Sequence, residues 1–149
     1  MKTLLTLAMV ALLSVMVNAD PGSRVDYIKT KDGKVVIAKV GIGLINMRAK
    51  QNDGTLLKIN YNDVTSFQKN GQLYERKPLY NDNKNSGHTV FMRFLSYRNG
   101  LALYCYDEPT SSRTSSSRYF VFKDGEKFWL EVTERNSETI KAFFNRTTL

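Results

Sequence analysis

One cysteine, Cys105, and one histidine, His88, are the only residues in this chain that could form a thiolate–imidazole nucleophile. Such a nucleophile needs its base within hydrogen-bond reach. A two-residue turn at Asn99-Gly100 would set Cys105 across from Phe94, six residues along the strand from His88. At ~3.3 Å per residue the two groups would stand about 20 Å apart. Cys105 is therefore expected to be a small core hydrophobe. Metal chemistry lacks its usual spacings: there is no CxxC, no HxxxH and no acidic loop of the EF-hand kind. No metal site or cofactor is expected. Glycoside cleavage needs two facing carboxylates. Here they would come from distant elements, Asp63 with Glu75 or Glu131, and Glu131 is expected to face Arg118 across a hairpin. Gly41-Ile42-Gly43 has neither the third glycine nor the helix of a dinucleotide site, so it reads as a bend.

Binding chemistry has two candidate surfaces. Arg93, Tyr97, Tyr104 and Tyr106 fall with Phe91 and Leu95 on one face of a hairpin. Aromatic rings beside a guanidinium stack on sugars or bases and hold an anionic group. The competing reading buries this face under the terminal helix or a second sheet. The second surface is Lys29, Lys31 and Lys34 around the first turn, an anion-binding candidate in which Lys31 directly opposes Lys34. Like charges so placed repel. Water at a hairpin tip relieves this as well as an anion does, because exposed charges are screened over ~8 Å.

These side chains must be positioned by hairpins. Five dipeptides, Asp32-Gly33, Asp53-Gly54, Asn70-Gly71, Asn99-Gly100 and Asp124-Gly125, each sit between runs rich in Val, Ile, Leu, Phe and Tyr. Type I′ turns need positive φ at both central residues, which Asn, Asp and Gly tolerate best. Two-residue turns set Ile28 opposite Ile37, Phe67 opposite Tyr74, Phe94 opposite Cys105 and Phe120 opposite Trp129. Residues 62–67 read as one helical turn or a continuing strand. Residues 77–87, with Pro78, three Asn, Asp82 and Ser86, read as an irregular connection, and residues 108–117 as a solvated Ser/Thr loop. The tail is the one helix: Asn136 or Ser137 caps it, and Ile140, Phe143 and Phe144 share a face that should cover the sheet.

Of the 149 residues, 1–19 read as a secretory signal peptide. Lys2 gives the positive start, residues 4–13 the apolar stretch and Val17-Asn18-Ala19 the cleavage pattern. The formal net charge of +8 becomes +7 when Lys2 leaves. That surface favours anionic partners, although the cations look dispersed along the chain. With Cys105 alone, no internal disulfide forms, and residues 20–149 must rely on packing.

Two resemblances follow from these motifs. Residues 27–34 with their DG turn, Asp53-Gly54, and the closing segment 59–64 resemble the small SH3-like or Sm-like barrel of bacterial envelope lipoproteins, though no lipid-bearing cysteine is present. Tyr61 to Phe67, Phe91 to Tyr106 and Tyr119 to Leu130 together resemble a group of exported, mostly uncharacterised proteins common in Bacteroidota. The expected fold is mainly β: an SH3-like small barrel over 24–76 continued by a C-terminal antiparallel sheet and one helix over 88–149, in a single domain 20–149. The expected function is a non-enzymatic, periplasmic or secreted envelope protein that binds an acidic glycan or an envelope protein. Nucleic acid is not an expected partner. An inhibitor or immunity protein acting through its loops, and a hydrolase with dispersed carboxylates, are the alternatives.

Overall fold

A computed structural model describes residues 25–43, 45–109 and 116–149. The described residues form antiparallel strands and one helix near the C-terminal end, as the hairpin pattern requires. The strands are β1 (Tyr27–Thr30), β2 (Val35–Ile37), β3 (Lys39–Ile42), β4 (Asn46–Lys50), β5 (Leu56–Asn60), β6 (Val64–Lys69), β7 (Gln72–Asn81), β8 (Lys84–Arg98), β9 (Leu101–Glu108), β10 (Ser116–Lys123) and β11 (Lys127–Glu131). The helix α1 spans Ser137–Phe144. Eight strands make one sheet in the order β11-β10-β9-β8-β7-β6-β1-β2, and β3-β4-β5 make a second.

The small sheet covers the β1-β2-β6 end of the large one. Between them lie Ile28, Val36, Ala38, Val40, Met47, Ala49, Val64 and Phe67, all buried. A 3₁₀ turn at Tyr61–Asp63, with the Asn60 side chain accepting from the Asn62 N–H, carries the chain from one sheet to the other. Of residues 62–67 only Asn62 and Asp63 lie in this turn; Val64 to Phe67 continue as strand β6. At the other end α1 lays Ile140 and Phe144 on Leu103 and Val121, so the helix does cover the sheet. Its start lacks the expected cap bond. The Asn136 side chain instead accepts from Thr133 N–H and donates to the Glu131 carbonyl.

Register departs from two-residue turns in instructive ways. Asn70-Gly71 behaves as expected, with φ of 52° and 76° and Phe67 opposite Tyr74. At Asp32-Gly33 only the glycine has positive φ, and the loop is three residues long, closed by Thr30 N–H to the Lys34 carbonyl. Asp32 spends its carboxylate on the Thr30 hydroxyl and the Lys34 N–H, which favours a type I turn over its mirror image. Ile28 therefore opposes Val36 rather than Ile37, and Ile37 points to solvent. The one-residue slip exchanges faces, so Ile28 shares its core with Val36, not with Val35 and Ile37.

The second half carries bulges. β8 and β9 start in the expected register at Arg98–Leu101, then shift at Leu95, so Phe94 opposes Tyr104 and Arg93 opposes Cys105. The β10–β11 loop is three residues long, with Lys123 opposite Lys127, and a further shift between Val121 and Phe122 puts Phe120 opposite Glu131 and not Trp129.

Residues 77–87 are not an irregular connection. They belong to the long hairpin β7–β8, turned at Asp82-Asn83 with φ of 50° and 62°. This hairpin reaches back to β10 and β11: the Tyr80 ring stacks on Phe128 at 3.7 Å, and Arg118 donates to the Tyr80 carbonyl and the Asn81 side chain. The large sheet thus curls around Met92, Ala102, Tyr104, Phe120 and Phe122. Residues 108–117 narrow to a shorter link, since Ser116 pairs with Glu108; residues 110–115 lie outside the described residues.

Candidate functional site

Strand alternation sets the outer face of the small sheet. Val40, Met47 and Ala49 point into the core, so Lys39, Arg48, Lys50 and Lys58 point out and are exposed. Lys39 stands directly opposite Lys50, and Arg48 directly opposite Lys58. Like charges in directly opposed positions destabilise a ladder. The stretch 39–60 contains one carboxylate, Asp53, in its turn. Among the described residues none of the four cations has a carboxylate within ion-pair distance. Lys123 opposes Lys127 elsewhere, but Asp124 and Glu126 lie in the turn between them.

A groove of about 520 Å³ continues this surface past the first hairpin. Lys31, Lys34 and Lys58 line it with Thr30, Asn60, Asp32 and Asp63, over an apolar floor of Val36, Leu57 and Ile59. Two of the three lysines expected to bind anions therefore share one cavity. Lys29 does not join them. It lines a separate polar groove with Thr65, Ser66, Glu75, Arg76 and Lys77. Lys31 is also not opposed to Lys34: it sits in the three-residue loop, and Thr30 takes the paired position.

The bulge at Leu95 puts Arg93 on the opposite side of the sheet from Tyr97, Tyr104 and Tyr106, and the three tyrosines differ in burial. Tyr104 is buried, donates to Glu75 and packs edge-on against Phe94 and Phe122. Burial, then the Glu75 carboxylate, hold its phenol well above the ordinary tyrosine range. Tyr106 is half-buried against the same cluster. Tyr97 is 59% exposed. Arg93 lies on the opposite side of the sheet with Cys105 and Asp107, at one end of a cleft of about 190 Å³. Ile42, Met47, Tyr61, Phe67, Tyr74 and Phe91 form the rest of that cleft. Phe67 stacks on Tyr74 at 4.7 Å and meets Phe91 edge-on at 5.2 Å.

No family model, curated protein or solved structure matches the chain.

The geometry provides little for covalent chemistry. Cys105 is 1% exposed and donates to Asp107, while Arg93 donates to it. Burial, then the Asp107 carboxylate, push its thiol up, away from the reactive thiolate. His88 is exposed on β8, five residues from Arg93, the partner of Cys105. Glu75 is engaged by Tyr104 and by Lys77 at 3.4 Å, and Glu131 by Arg118 at 2.7 Å, the ion pair foreseen from the sequence. The described residues hold no cluster of three His, Cys, Asp or Glu side chains. A thiol reagent at pH 8 should label Cys105 only in denaturant. Stoichiometric labelling of the folded protein within minutes would contradict the β8–β9 register.

Proposed function

We propose that the protein is an exported, non-catalytic binding module of the cell envelope that takes an anionic partner on the outer face of its small sheet. One observation carries this reading: two like-charged pairs stand directly opposed on a face with no carboxylate. Each opposition costs on the order of 0.5 kcal/mol. None of the four side chains reaches the core, so packing offers no return for that repulsion. An anion laid across the face removes it, and summed cations raise the encounter rate. The groove beside Lys58 adds Lys31 and Lys34 toward the first turn, together with the carboxylates of Asp32 and Asp63.

Elution from an immobilised sulfated polyanion tests this. Arg48→Gln/Lys58→Gln should elute at clearly lower salt than the parent chain. Lys84→Gln/Arg135→Gln removes two exposed charges outside the face and should elute close to the parent. Equal shifts for the two pairs would mean that net charge alone holds the protein, and the face would lose its claim.

A further inference from the structure

Two large aliphatic side chains interrupt the basic face. Ile45 is 77% exposed, the highest value among the exposed large hydrophobics, and Leu56 is 55% exposed. Leu56 opposes Lys50 and stands two residues from Lys58 on the same strand face. Ile45 lines a shallow cavity of about 260 Å³ with Asn46, Arg48 and Lys58. Exposed aliphatic residues scattered singly need no explanation. These two are not scattered: each is set among the cations that have no carboxylate partner.

A soluble acidic polymer would satisfy the cations and leave Ile45 and Leu56 in water. A bilayer with anionic headgroups uses both kinds of group at once. Its phosphates sit at the level of the cations, and the first acyl carbons lie just beneath, within reach of short aliphatic side chains. The arrangement matches interfacial binding rather than spanning, and no helix among the described residues is long and apolar enough to cross a membrane. We infer that the outer face of the small sheet docks on an anionic lipid surface, with Ile45 and Leu56 entering the headgroup layer between Arg48, Lys50 and Lys58. This inference rests on the anion-binding reading above and names its partner.

Vesicle co-sedimentation of the protein purified after export decides it. The protein should sediment with phosphatidylcholine vesicles carrying about a third phosphatidylglycerol and stay in solution with phosphatidylcholine alone. Ile45→Ser/Leu56→Ser should bind the anionic vesicles about ten-fold more weakly or worse, because apolar burial contributes beside charge. Its elution from the sulfated polyanion should match the parent, which also shows that the variant is folded. If this variant keeps parental vesicle affinity, or if the parent is retained by the polyanion but ignores anionic vesicles, the lipid inference falls and the anion-binding face stands. If Arg48→Gln/Lys58→Gln changes neither vesicle binding nor elution, both fall.

Discussion

Replacing Phe122 with alanine is expected to lower the unfolding free energy by about 4 kcal/mol, the range for deleting a buried aromatic ring. Phe122 is fully buried where the large sheet curls on itself. Its ring meets Tyr104 at 5.5 Å, Phe128 at 5.9 Å and Tyr80 at 6.5 Å, each edge-on. Lys77 reaches over the same cluster, its ammonium 5.8 Å from the Phe122 ring, and donates to the Gly125 carbonyl. No neighbour can fill the void without leaving another of these contacts. Since a domain of this size holds roughly 5–15 kcal/mol in all, the variant should be close to unfolding at 37 °C. Urea unfolding checks this. A loss under about 1 kcal/mol would mean that the aromatic cluster can collapse, against the tight geometry described.

Arg118→Ala should cost about 2–3 kcal/mol, more than an exposed ion pair is worth. Its guanidinium donates to Glu131 at 2.7 and 2.9 Å, to the Tyr80 carbonyl at 2.6 Å and to the Asn81 side chain at 2.9 Å. It also lies 5.1 Å over the Phe120 ring. These bonds tie the β7–β8 hairpin to β10 and β11 without backbone pairing. Removing the arginine leaves the Glu131 carboxylate, 15% exposed, without its cation. Arg118→Lys should recover only part of the loss, because an ammonium cannot serve the fork of acceptors. Full recovery would show that charge alone matters there. A loss below about 0.5 kcal/mol would show that the Tyr80–Phe128 stack and the Lys77 and Asn83 hydrogen bonds hold the hairpin without it.

The sequence disclosed turns better than registers. Asn70-Gly71 made the turn its composition demands, and the Phe67–Tyr74 stack followed. Asp32-Gly33 looked the same but closed as a longer loop, because the Asp32 carboxylate bonds locally. Asp82-Asn83 carries no glycine to signal a turn, yet both residues adopt positive φ. The bulge at Leu95 has no sequence signature of its own, and it puts Arg93 on the side of the sheet away from the buried Tyr104. The basic face was legible in principle. Residues 39–60 have one acid, and Lys39, Arg48, Lys50 and Lys58 fall on one side of three alternating strands. Read along the chain these cations look dispersed; only strand pairing brings them together.

Lys50→Glu probes that face most directly, because it turns the Lys39–Lys50 opposition into an attraction while reversing a charge on the binding surface. Compared with Lys84→Glu, an equal charge change at the exposed start of β8, it should elute from the sulfated polyanion at markedly lower salt. It should also melt about 2–4 °C above the parent chain. Elution together with Lys84→Glu and an unchanged or lower melting temperature would contradict a face that carries its cations for a partner.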